Sequence, residues 1–201
     1  MRLAWLTDIH LDHAGDVEQK LFNISIEASA CDAYVITGDI SMSPMIVDHL
    51  YLIEDAFKKP FYFVLGNHDY YFSDILSTRR KVTNACRKMS FGRYLSSFPY
   101  VKLFDGSAIV GHDGWYDALN GNALNSNVIM SDWLKIHDFS NSIRSSFAGT
   151  TINKSSIIQV ARAICAASVS HIASGIKSAV KDGHSNIIVA THVPPFRESY
   201  N

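Results

Sequence analysis

Phe61-Tyr62-Phe63-Val64-Leu65-Gly66-Asn67-His68-Asp69 is the stretch whose reading decides the fold. Five apolar and aromatic residues run unbroken into a glycine. That is how a strand buried on both faces reads when it ends in a loop. Gly66 lets the backbone turn sharply and pass close to a ligand. The three polar residues after it can ligate a metal, move a proton and hold a histidine in place. Loops at strand ends are where an α/β scaffold carries its chemistry. The bland alternative is a buried strand followed by a polar turn. Three similar strand ends elsewhere in the chain weigh against it.

The first of these closes a strand predicted over Arg2 to Leu6, which runs into Thr7-Asp8-Ile9-His10. Residues two apart in an extended segment project to one side, so Asp8 and His10 can share a site while Ile9 turns to the core. The second closes a strand over Ala33 to Thr37, followed by Gly38-Asp39. The third closes Asn186 to Ala190, followed by Thr191-His192-Val193-Pro194-Pro195, a rigid turn presenting one imidazole. Between the strands lie helical patterns. Val17, Leu21, Ile24 and Ala28 keep helical spacing over 17–30. Pro44 opens a helix reaching about Phe57, with Ser43 as its expected cap. Ser73 to about Ser90 reads as a basic helix, its cations forming a solvated face. Strands alternating with helices indicate βαβ units and a largely parallel sheet.

The parallel pattern then gives way. Tyr100 to Phe104 and Ser107 to Val110 flank Asp105-Gly106, a hairpin signal, so the sheet system is mixed. Gly111-His112-Asp113-Gly114 follows, and His112 and Asp113 are candidates for the border of the site. Residues 117–153, rich in Asn, Ser and Asp, read as an insertion able to cover part of the cleft. A long helix is predicted from about Ser155 to Lys181. Its inner stripe runs through Ile157, Ala161, Ile164, Ser168, Ile172, Ile176 and Ala179, and Gly183 ends it. His13, close to Asp8 and His10, is a lesser candidate to face the cleft, and His137 and His171 are expected to be solvated or packing histidines.

Composition bounds the function. The chain has 201 residues, 47% of them hydrophobic and 18% charged, so a single globular domain is expected over 1–201. A net charge of −1 offers no basic field to nucleic acid or an anionic membrane. Cys31, Cys86 and Cys165 are odd in number and widely spaced, which points to a reducing, cytoplasmic setting. The N-terminus turns acidic too soon for a signal peptide. No apolar run in the sequence looks long enough to span a bilayer.

Asp8, His10, Asp39, Asn67 and His192 all stand just past predicted strand ends, and four of them share one edge if the sheet is parallel. Mixed oxygen and nitrogen donors without a thiolate suit manganese, iron or zinc. Five donors exceed the need of one open catalytic ion. They suggest two ions sharing a carboxylate, roughly 3.5–4 Å apart, able to acidify a water and stabilise a phosphoryl group.

Asp8-Ile9-His10, Gly38-Asp39, Gly66-Asn67-His68-Asp69 and Thr191-His192, in that order and spacing, resemble the calcineurin-like metallophosphoesterases. The resemblance covers residues 1 to 195 apart from the insertion. It implies an α/β fold of two mixed β-sheets packed as a sandwich flanked by helices. It implies two divalent metal ions (manganese, iron or zinc, with magnesium as an option) and a phosphorylated substrate. Asp8 and His10 would hold the first ion, Asp39 would bridge, and Asn67 and His192 would hold the second. By the same resemblance His68 would protonate the leaving oxygen or stabilise the transition state, and Asp69 would orient His68.

One feature departs from that family. Its site normally closes with a later Gly-His-x-His, and nothing here matches it. Gly111-His112 and Gly183-His184 both precede Thr191-His192 and lack the second histidine. The expectation is a C-terminally incomplete fold, either shortened or with part of its site lost. Two functions then stand. One is a two-metal hydrolase of a phosphomonoester or phosphodiester. The other is a binding scaffold with little turnover. Retention of His68 and all five donors favours the hydrolase, and the missing closure favours the scaffold. A protein phosphatase, a nucleotide or cyclic-nucleotide hydrolase and a nuclease would share these residues.

Overall fold

A computed structural model describes residues 1–144 and 152–196. Two sheets form its centre. In the first, β1 (Leu3–Leu6), β2 (Ala33–Thr37), β3 (Phe61–Val64) and β4 (Gly92–Tyr94) lie side by side in chain order, every pair parallel. In the second, β5 (Val101–Lys102) pairs antiparallel with β6 (Ala108–Gly111), which pairs parallel with β7 (Ile187–Ala190). The hairpin around Asp105-Gly106 forms as the sequence predicts. The second sheet is mixed, but the first is parallel throughout. Gly92-Arg93-Tyr94 extends it without the apolar run that marks the other strands.

Period-two alternation distributes the core. Tyr34, Ile36, Phe61 and Phe63 face the helices α1 (Val17–Glu27), α2 (Ile46–Phe57) and α3 (Ile75–Cys86). Their neighbours Ala33, Val35, Tyr62 and Val64 face the second sheet, where they meet Leu103, Ile109 and Ala190. Fully burying side chains of this size contributes about 1.5–3 kcal/mol each. Asp16 and Asp74 cap α1 and α3 by accepting from the amides of Gln19 and Ser77. Ser43 caps nothing. It hydrogen-bonds Thr78 on α3, and α2 begins two residues after Pro44.

The insertion carries α4 (Ser131–Lys135) and α5 (His137–Arg144). The helix α6 (Lys154–Lys181), capped by Asn153, lies on β6 and β7. Its buried residues are Ile157, Ile158, Ala161, Ser168, Gly175 and Ala179. By length and composition α6 is also long and apolar enough to cross a membrane, which the sequence reading did not anticipate.

Candidate metal centre

Backbone bonds lace the strand-end loops together. The amides of Asp8, His10 and Leu11 donate to the carbonyls of Gly38, Asp39 and Ile40 at 3.1, 3.0 and 2.8 Å. To make this pairing, Asp8, His10 and Asp39 all adopt left-handed backbone, with φ of 53°, 39° and 51°. Each such non-glycine residue costs on the order of 1–3 kcal/mol, a strain that collects at functional sites. Two glycines permit the close approach. A Cβ on Gly38 would lie 2.7 Å from His192 Nδ1, and one on Gly66 would lie 2.2 Å from Asp39 Oδ1.

Asp39 stands at the centre. It is 4% exposed, and its two oxygens point to different histidines. Oδ2 lies 3.7 Å from His10 Nε2 and Oδ1 lies 3.5 Å from His192 Nε2. Donor atoms of Asp8, His10 and Asp39 fall within 4.8 Å of one another. On the other side His192 Nε2 and Asn67 Oδ1 are 3.0 Å apart. All five residues singled out in the sequence therefore converge, although β7 brings His192 from the second sheet and not along the edge of the first.

The contacts behind these atoms define what they offer. His192 Nδ1 donates to the carbonyl of Thr37 at 2.8 Å, which leaves Nε2 with its lone pair. Asn67 Nδ2 donates to Asp132 Oδ1 at 2.8 Å, which turns Asn67 Oδ1 toward His192. In the neutral imidazole two acceptors thus face each other at hydrogen-bond distance. A divalent cation bound by both resolves that opposition, so the donor set fits a metal. His10 Nδ1 is buried and has no hydrogen-bond partner among the described residues.

Asp132 was not anticipated. It is 4% exposed on α4, and Oδ1 accepts from Tyr71 Oη at 2.8 Å as well as from Asn67. The insertion, through Asp132, thus fixes the orientation of the Asn67 amide. His68 sits against the ring of Tyr71, 4.3 Å between centres, and edge-on to His10 at 4.7 Å. Burial pulls the His68 imidazole below its usual pKa, and the nearby Asp39 charge opposes the shift. His68 does not pair with Asp69. Both Asp69 oxygens are taken by backbone amides: Ile40 and Ser41 at 2.9 and 2.7 Å, and Gly66 at 2.7 Å. Burial pushes the Asp69 carboxyl above the usual carboxylate range, and those amides pull against it. Asp69 braces the Asp39 loop against the Gly66 loop instead of steering the histidine.

His112 and Asp113 also lie outside the centre. His112 is 6% exposed, accepts from the Gly114 amide and packs its ring near His171. Asp113 joins the two sheets through Tyr70, Arg79 and Tyr94.

A family model described as calcineurin-like phosphoesterase matches residues 1–201. No curated protein matches. Among solved structures, the phosphopantetheinyl hydrolase of Mycobacterium tuberculosis shares the fold with a TM-score of 0.64 at 17% identity. The match covers 98% of this chain and 70% of that one.

Proposed function

Because this chain belongs to the calcineurin-like phosphoesterase family, we propose that it is a metal-dependent phosphohydrolase cleaving a phosphomonoester or phosphodiester at a two-ion site. The observation that carries this reading is Asp39, whose two oxygens address His10 on one side and His192 on the other. Asp8, His10 and Asp39 would hold one ion, and Asp39, Asn67 and His192 the other. Two divalent ions (manganese, iron, zinc or magnesium) held there would supply Lewis acidity toward the phosphoryl group and lower the pKa of a bound water toward neutrality.

The side chains do the rest. Thr37 and Asp132 fix the faces that His192 and Asn67 present. His68 stands edge-on to His10 at the rim of this site. As water attacks phosphorus and the ester P–O bond breaks, the leaving oxygen needs a proton. His68 supplies it or donates a hydrogen bond to the developing charge. Tyr71, stacked on the ring and tied to Asp132, holds His68 in place.

Manganese titration by calorimetry, with hydrolysis of an aryl phosphate in parallel, tests the proposal. Metal binding and turnover should rise together. His68→Ala should keep the metal and lose roughly 10²–10⁴-fold in turnover, less with a good leaving group. Metal binding without hydrolysis would identify a binding scaffold.

A further inference from the structure

Three imidazoles converge at this centre, and the two-ion arrangement leaves one of them without a role. His10, His13 and His68 bring ring nitrogens within 4.8 Å of one another. Ring centres of His10 and His13 are 5.6 Å apart. His13 ends the single 3₁₀ turn Leu11–His13, which buried Leu11 anchors and the bond from His13 N–H to the His10 carbonyl (3.1 Å) closes. Its side chain is 63% exposed and open to solutes.

Behind it lies a second, independent feature. The Asp12 side chain is 0% exposed, and neither of its oxygens accepts a hydrogen bond among the described residues. Asp12 Oδ2 is 3.4 Å from His13 Nε2. A buried carboxylate without donors is costly unless positive charge stands nearby. The proposed two-ion reaction gives Asp12 no task. A carboxylate behind an imidazole, however, is the usual support of a metal-bound histidine. It orients the ring and raises its basicity.

We propose that His10, His13 and His68, with Asp12 supporting His13, form a nitrogen-rich binding set for a borderline divalent cation such as zinc, nickel or copper. This set overlaps the catalytic one at His10. The two sets differ in chemistry. Asp8, His10 and Asp39 offer two carboxylates and one imidazole, which suits manganese or magnesium. Three imidazoles favour the later first-row ions, which bind nitrogen sites more tightly than manganese does. A cation held there ties up the His68 lone pair and removes the proton donor. The centre is thus inhibited by a cation held on the three imidazoles, whichever ions serve the reaction at Asp39. That inhibitory consequence rests on the phosphohydrolase reading; the binding itself does not.

The test compares the whole chain with His13→Ala, a change at an exposed side chain outside the reaction site. Both proteins are saturated with manganese and titrated with zinc, by calorimetry and by inhibition of aryl phosphate hydrolysis. The variant should keep the manganese-supported rate and bind the inhibitory zinc at least about tenfold more weakly. Equal zinc affinity in the two proteins would overturn the inference. Should neither protein hydrolyse the ester with manganese, the phosphohydrolase reading fails. The zinc titrations still decide whether His13 is a ligand.

Discussion

Two loops of this protein are spelled almost alike. Gly66-Asn67-His68-Asp69 follows β3, and Gly111-His112-Asp113-Gly114 runs out of β6. Each sets a histidine and an aspartate beside a glycine, yet they differ in how their polar atoms are matched. Asp113 accepts from five donors: the Leu65 amide, Ser96, Tyr70, Tyr94 and Arg79. Burial penalises its charge, but Arg79 foremost among these neighbours holds the carboxyl below the usual carboxylate range. Around the β3 loop, His192 Nε2 in the neutral imidazole faces Asn67 Oδ1 acceptor to acceptor. Backbone strain divides the same way. The β6 loop places its left-handed turn on Gly114 at φ 77°, whereas the β1 and β2 loops beside the β3 loop place theirs on Asp8, His10 and Asp39 as well as Gly38. A framework loop is satisfied by the protein alone. The site loop, by the reading favoured above, is satisfied by a ligand.

The sharpest test of that contrast is Asp39→Asn. One amide cannot replace two anionic oxygens serving two ions, so both metals or nearly all activity should be lost. The drop should exceed the 10–100-fold typical of a supporting residue. Metal analysis of the purified variant reads it, and two ions at wild-type occupancy would show that Asp39 does not bridge.

Asp113→Asn attacks the other loop. It leaves the half-buried Arg79 without its anion, and solvent at Arg79 keeps the loss below the about 3–5 kcal/mol typical of a fully buried pair. Denaturant unfolding should show that loss, while the fraction that remains folded binds manganese as before. Unchanged stability with impaired metal binding would move Asp113 into the site.

Asp132→Ala separates support from ligation. It frees Asn67 to turn its amide, so metal affinity should fall by about 10–100-fold with the fold intact. Calorimetry with manganese measures this. An unchanged affinity would mean that Asn67 needs no help to face His192.

The sequence announced most of the centre, because each donor follows a strand end whose apolar run is plain. Asp8, His10, Asp39, Asn67 and His192 could be found by position alone. Asp132 could not: it lies in an insertion without periodicity, and the contact with Asn67 spans 65 residues. Asp69 was found but misread, since adjacency to His68 in the chain suggested a pair that the buried amides of Ile40, Ser41 and Gly66 prevent. β4 escaped because three residues with a glycine and an arginine carry no strand pattern. In each case what was missed depends on tertiary neighbours, which local spacing does not encode.

The smallest predicted effect uses pH to probe the framework loop. Burial lowers the His112 imidazole from its ordinary value of 6.5 to about 4; Asp113 opposes the shift, and Arg79 and His171 add to it. The folded protein therefore takes up this proton later than the unfolded chain does. The contribution to stability is fully present above pH 6.5 and is lost as the pH falls toward 4. Between pH 7 and pH 5 the loss should amount to about 2 kcal/mol. In His112→Asn the amide oxygen can still accept from Gly114, but nothing titrates at that position. Denaturant unfolding of both proteins at the two pH values isolates the histidine, because the carboxylates contribute equally to each. The wild type should lose about 2 kcal/mol more than the variant. Equal losses would mean that His112 is not held neutral, and that the framework loop is less completely satisfied by its own partners than its contacts indicate.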